Sequence, residues 1–180
     1  MASDPGLASR ERLQRPGARV AFVVSNFHRE LTSAMLESAR RELAASGVRE
    51  EDTPVAWVPG SFELPLVARR FARRADVDGV ICIGLVLKGE TSHDLHVAQG
   101  ATRGIQQVML ETDKPVLFGV LTCESLEQAR ARALPADQGG VHDKGRELAV
   151  GVLETLAALD AAREGAGRPV GFPTPSTPPR

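Results

Sequence analysis

The densest cluster of chemically useful residue types is Gly84-Leu85-Val86-Leu87-Lys88-Gly89-Glu90-Thr91-Ser92-His93. It runs straight out of the apolar segment Val80-Ile81-Cys82-Ile83, which has the pattern of a strand buried on both faces of a parallel sheet. A glycine-containing turn follows, then a Thr-Ser pair suited to capping, then a helical stripe of Leu95, Ala98, Ala101, Ile105, Val108 and Met109. A strand that empties into a helix start presents unpaired backbone N–H groups and the positive end of the helix dipole, which together favour an anion. Here a lysine lies on one side of that turn and a histidine on the other, so phosphate recognition and proton transfer could meet in one loop. In a helix's first turn the dipole disfavours imidazolium, which suits His93 to accept a proton. His93 and His96 also form an H-x-x-H pair, but spacing supplies no third ligand for a metal.

Other candidates lie at the ends of other apolar runs. Phe27 follows Val20-Ala21-Phe22-Val23-Val24, where its ring could stack on a planar ligand or staple the next helix. Glu63 follows Val55-Ala56-Trp57-Val58 and the Pro59-Gly60 turn; it could bind a polyol or amine, or favour the start of its own helix. Arg132 and Lys144 flank the Pro/Gly-rich stretch 134–142, where charged side chains are ordinarily solvated.

The elements that must position these residues follow from periodicity. Four apolar runs read as strands: 20–24, 55–58, 79–87 and 115–121. Between them lie amphipathic stretches, the first marked by Leu31, Met35, Ala39 and Leu43 and stopped by Gly47. The second is expected to be capped by Ser61 and to bury Leu64, Val67, Ala68 and Phe71, with Pro65 tolerated in its first turn. The third runs from about Ser92 to Glu111. Ser125 with Gln128 signals a capping box for a short helix, and Leu148, Val152, Leu156 and Leu159 mark a last one. Alternating strands and helices predict a parallel sheet with helices on both faces, with ligands held beyond the carboxyl ends of the strands. That rule brings together 25–28, 59–63, 88–93 and 122–124.

Composition bounds the class. The chain has 180 residues, 42% of them hydrophobic and 25% charged, which suits one globular domain with a full core. A net charge of −1 and the lack of a basic, aromatic-interleaved stripe argue against nucleic acid as a partner. No apolar run approaches a membrane span, and the N-terminal residues do not resemble a signal peptide, so a cytoplasmic location is expected. Cys82 and Cys123 fall in or beside strands, as reduced thiols rather than a disulfide or metal pair. Residues 1–17 read as a flexible segment, 18–163 as the domain, and 164–180 as a Pro-rich disordered tail.

Six blocks taken together resemble lumazine synthase, the penultimate enzyme of riboflavin biosynthesis: Asn26-Phe27-His28, Val58 through Pro65, Gly84 through His93, Pro115 through Thr122, Glu127 through Arg132, and Lys144-Gly145. The resemblance spans about Arg19 to Leu159 in the family's order. It implies a flavodoxin-like, three-layer αβα sandwich around a four-stranded parallel sheet. It also implies a transferase without cofactor or metal that condenses 5-amino-6-(D-ribitylamino)uracil with 3,4-dihydroxy-2-butanone 4-phosphate. The products would be 6,7-dimethyl-8-ribityllumazine, phosphate and water. By the same resemblance Phe27 would stack on the pyrimidine, and Ser61, Phe62 and Glu63 would fix the ribityl chain and ring. Leu85, Val86 and Leu87 would contact the pyrimidine through backbone groups, and Glu90 and Thr91 would lie at the phosphate side. His93 would transfer protons and Lys144 would lie near the reacting centre. Phe118 and Arg132 would come from an adjacent subunit, so the implied assembly is a homo-oligomer, a pentamer or a capsid built from pentamers. The sequence departs from the family's habit at Asn26, His28, Leu85 and Asp94-Leu95-His96. A paralogue that binds a lumazine or flavin without turnover, or one that forms a shell, is the rival.

Overall fold

All six residues of β1 (Val20–Ser25) are buried, as a central strand requires. A computed structural model describes residues 12–163 of the chain. β1 pairs in parallel with β2 (Val55–Val58) on one side and β3 (Gly79–Leu87) on the other. β4 (Val116–Cys123) adds in parallel to β3, giving the order β2-β1-β3-β4.

The two-residue period of the strands sorts their side chains between two helical layers. Val20, Phe22, Val24, Ile81, Ile83 and Leu85 point into a cluster with α1 (Arg29–Ala45), α4 (Leu126–Ala133) and α5 (Lys144–Arg163). Ala21, Val23, Val80 and Cys82 point the other way, toward α2 (Leu64–Ala72) and α3 (His93–Thr112). The architecture is therefore the expected three-layer α/β sandwich of the flavodoxin-like kind. Cys82 and Cys123 are both free and buried, and burial pushes each thiol's pKa up. Among the described residues no helix is long and apolar enough to cross a membrane.

Local chemistry sets the helix ends. Gly47 adopts φ +85°, while Ser46 N–H and Val48 N–H donate back to the carbonyls of Glu42 and Leu43, which closes α1 as its glycine predicts. Ser125 Oγ accepts from Gln128 N–H at 3.1 Å. Gln128 Oε1 in turn accepts from Glu124 N–H rather than from Ser125, so the capping pair reaches one residue further back than expected. Ser61 does not cap α2 with its side chain. A single 3₁₀ turn, Ser61–Glu63, precedes the helix, and the Glu63 carboxylate accepts from Gly60 N–H at 2.9 Å.

The described part of the N-terminal segment and the Pro/Gly-rich stretch 134–142 are both held by specific hydrogen bonds. Arg12 donates to the Glu42 carboxylate at 2.9 Å, Arg15 N–H to the Ser46 carbonyl at 2.8 Å, and the Arg15 guanidinium pairs with Asp160 at 2.6 Å. Residues 12–17 thus lie across the end of α1 and against α5. The remainder of that segment, 1–11, and the tail 164–180 lie outside the described residues. The stretch 134–142 contains a 3₁₀ turn, Ala136–Gln138, and folds back so that Val141 and His142 N–H groups both donate to the Ala131 carbonyl. Backbone hydrogen bonds, invisible in composition, give this Pro/Gly-rich stretch a defined course.

Candidate active site

The strand order reverses between β1 and β3, and the connections leaving their carboxyl ends diverge to opposite sides, opening a crevice. A cavity of about 680 Å³ occupies it.

The first wall comes from the β1–α1 turn. Asn26 N–H still donates to the Val58 carbonyl at 2.8 Å, and Thr32 Oγ1 donates to the Ser25 carbonyl at 2.9 Å, which pulls α1 back over the strand end. The chain reverses at His28, held in the left-handed region at φ 55° and ψ 45°. A non-glycine residue there carries local strain, a conformation that recurs at functional sites. Phe27, caught at this corner, is 67% exposed and faces the cavity, so it is not a staple beneath α1. Its ring lies against Gly60, where a Cβ would come within 3.6 Å of Phe27 Cδ2.

The second wall is Pro59 through Glu63. Ser61 is 3% exposed, and its hydroxyl sits directly over Gly84 of β3, where a Cβ would lie 2.5 Å from Ser61 Oγ. That hydroxyl is buried and without a hydrogen-bond partner, an arrangement that suits a polar ligand atom at the cavity edge. Phe62 leans on α3, where Gly100 leaves room for its ring; a Cβ there would lie 2.5 Å from Phe62 Cε2.

The third wall is the end of β3 and the start of α3. Leu85, Val86, Leu87, Gly89, Thr91 and His93 all line the cavity. Thr91 Oγ1 accepts from His93 N–H at 3.4 Å, while Ser92, the N-cap residue, makes no side-chain cap. Asp94, His96 and Val97 continue the wall along α3. Among the described residues no group of three His, Cys, Asp or Glu side chains could hold a metal ion.

The convergence expected at the strand ends is met by three segments of the four. The segment 122–124 contributes nothing to the cavity wall, because β4 is the edge strand beyond β3. Glu124 instead pairs with Lys88 at 2.9 Å and draws that lysine away from the crevice. Of the single residues expected at the site, Phe27, Ser61, Phe62, Glu63, Leu85, Val86, Leu87, Thr91 and His93 line the cavity. Glu90, Phe118, Arg132 and Lys144 do not. Phe118 is exposed on edge strand β4, and Arg132 lies in the last turn of α4, where it donates to the Gln128 carbonyl at 3.1 Å. Lys144 opens α5 in the opposite helical layer and is ion-paired with Glu147. The wall residues left unassigned by the sequence were His28, Pro59, Gly60, Gly89, Asp94, His96 and Val97. The signal that finds His28, Pro59, Gly60 and Gly89 is their position in the turns after β1, β2 and β3; Asp94, His96 and Val97 follow from the first turns of α3.

The fold and this crevice define an α/β protein with a ligand cleft at the topological switch point, walled by two aromatic rings and imidazoles. A family model for 6,7-dimethyl-8-ribityllumazine synthase matches residues 17–160. The chain is 44% identical over 149 residues to 6,7-dimethyl-8-ribityllumazine synthases from two strains of Thermus thermophilus, covering 83% of this chain and 92% of each relative. It is also 44% identical over 138 residues to the Pediococcus pentosaceus 6,7-dimethyl-8-ribityllumazine synthase, covering 77% of this chain and 86% of that one. The chain belongs to the 6,7-dimethyl-8-ribityllumazine synthase family, transferases of riboflavin biosynthesis.

Proposed function

We propose that the crevice is the place where this chain condenses 5-amino-6-(D-ribitylamino)uracil with 3,4-dihydroxy-2-butanone 4-phosphate. The observation that carries this is the joint placement of Phe27, Ser61, Phe62, Glu63, the end of β3 and His93 around one cavity of about 680 Å³. Phe27 offers a face for the pyrimidine, and the β3 end offers backbone groups to its edge. The Ser61 hydroxyl and Glu63 carboxylate serve the ribityl hydroxyls. The turn at Glu90 and Thr91 receives the phosphate side, where the start of α3 favours negative charge. His93 moves protons between the amine, the carbonyl carbon's substituents and solvent. No cofactor is needed: two oriented reactants in one cleft gain most of their rate from proximity.

Phe118, Arg132 and Lys144 lie away from this subunit's cavity, toward edge strand β4 and the α4–α5 side. Their place in the mechanism is at the cleft of an adjacent copy, Arg132 gripping phosphate with parallel hydrogen bonds. The working unit is accordingly a homo-oligomer, a ring of five, acting in the cytoplasm on small molecules. The catalytic domain is 18–163. Mixing purified protein with both substrates tests the whole: lumazine absorbance and fluorescence should appear, and their absence would refute it.

A further inference from the structure

The chain has four histidines, and three of them, His28, His93 and His96, line the same cavity. His93 has a role in the function proposed above; His96 has none. On α3 the positions His93, His96, Val97 and Gly100 share one face, at the spacing of three, four and seven residues that aligns side chains along a helix. The first three line the cavity, and the fourth seats the Phe62 ring that closes it. Leu95, between them, is 52% exposed and is absent from the wall. Helical geometry therefore sets two imidazoles side by side, with their Cβ atoms about 5–6 Å apart. Among the described residues no third His, Cys, Asp or Glu side chain joins them as a metal ligand.

We propose that His96 is a second proton-transfer residue of the condensation, working with His93. The proposal rests on the function proposed above. Joining an amine to a ketone passes through a carbinolamine that must lose water. Its C–O bond breaks, and the electron pair leaves with oxygen, which takes a proton from one imidazolium and departs as water. The nitrogen lone pair forms the C=N bond, and the nitrogen's proton passes to the other, neutral imidazole. One imidazole gives a proton and its neighbour gains one, so no other acid or base is consumed. A lone histidine would have to serve the leaving oxygen and then the nitrogen in succession from one ring position, whereas two imidazoles face both atoms at once. The other titratable groups on the cavity wall are His28 from the α1 turn, Glu63 from the 3₁₀ turn, and Asp94 beside the pair. Glu63 is engaged by Gly60 N–H, and Lys88, near Asp94, is held by Glu124.

Steady-state kinetics on His96→Ala, beside wild type, test this. The expected result is a turnover number on the order of tenfold lower, with Michaelis constants for both substrates within about twofold of wild type. One ionisation should vanish from the pH–turnover profile, and added free imidazole should restore part of the loss. Because His96 is solvent-exposed, the variant keeps its fold, which retained binding of 6,7-dimethyl-8-ribityllumazine verifies. Unchanged turnover overturns the proposal, as does a loss confined to a Michaelis constant or one that leaves the pH profile intact and ignores imidazole. A wild-type protein that makes no lumazine overturns the function itself and the proposal with it; a competent wild type beside an unchanged variant overturns this proposal alone.

Discussion

Each residue of the cleft is defined by what its neighbours leave it free to do. His93 stands exposed in the first turn of α3, its backbone N–H held by Thr91 and its ring on the cavity wall. His93→Ala should slow condensation by about one to two orders of magnitude without abolishing it, because proximity supplies the larger share. Unchanged turnover in steady-state assays would remove His93 from the mechanism. Phe27, on the cavity wall, and Arg132, in the last turn of α4, should separate the two substrates. Phe27→Ala should weaken the pyrimidine, through about 1 kcal/mol of lost stacking, and spare the butanone phosphate. Arg132→Ala should do the reverse, since a lost bidentate guanidinium has no neutral replacement. Equal changes in both Michaelis constants for either variant would make that residue structural.

Among the elements, α3 and α5 are seated by glycines whose missing side chains permit close approach. A Cβ on Gly145 would lie 2.2 Å from the Met35 carbonyl oxygen, so α5 crosses α1 with its backbone nearly touching. Backbone cannot step aside as a side chain can. Gly145→Ala should cost roughly 1–3 kcal/mol, read as a lower denaturation midpoint, and an unchanged midpoint would show that the crossing has slack. Gly100→Ala meets instead the exposed end of Phe62, a side chain that can swing. There the expected outcome is near-native stability with weaker pyrimidine binding, because the displaced ring enters the cavity. A stability loss without a binding change would contradict the part given to Phe62.

For the molecule as a whole, the carboxylate of Glu42 joins three segments, accepting from Arg12 of the N-terminal arm and from Arg146 of α5. Burial pushes its pKa up, but the hydrogen bonds and charges of the two guanidiniums outweigh that and hold it below the ordinary value. A carboxyl with a depressed folded pKa adds stability that is fully present above its unfolded value, about 4.3, and is lost as pH falls through the folded one. Thermal melts should therefore show a steeper acid decline below about pH 4.3 for wild type than for Glu42→Gln, and parallel curves would exclude Glu42 as the cause. The arm it anchors bears on assembly. Pro16 has no N–H with which to donate to a strand ladder, and Arg12 and Arg15 bind the arm to its own subunit. A free pentamer is expected rather than a shell. Light scattering and negative-stain microscopy at neutral pH distinguish them, and hollow spherical particles would overturn this.

Much of this was determined by the sequence alone, and for local reasons. Apolar runs such as Val80 to Ile83 can be satisfied only as strands covered on both faces, and stops such as Gly47 act within a turn of their own position. The strand-end segments that form the cleft follow from that alternation, and several of the family blocks fall on them. What required the tertiary structure was every relation between distant segments. Ser61 looked like a cap by its neighbours in sequence, yet Gly84 of another strand leaves space for its hydroxyl to turn inward. Lys88 looked like a phosphate ligand until Glu124 at the end of β4 claimed it. The His93–His96 pair read only as a weak metal motif, whereas the fold puts both imidazoles on the wall of one cavity. Periodicity reports which face of an element is buried; which partner meets that face is set by the sheet order and by how closely backbones can approach, and neither quantity is local to the chain.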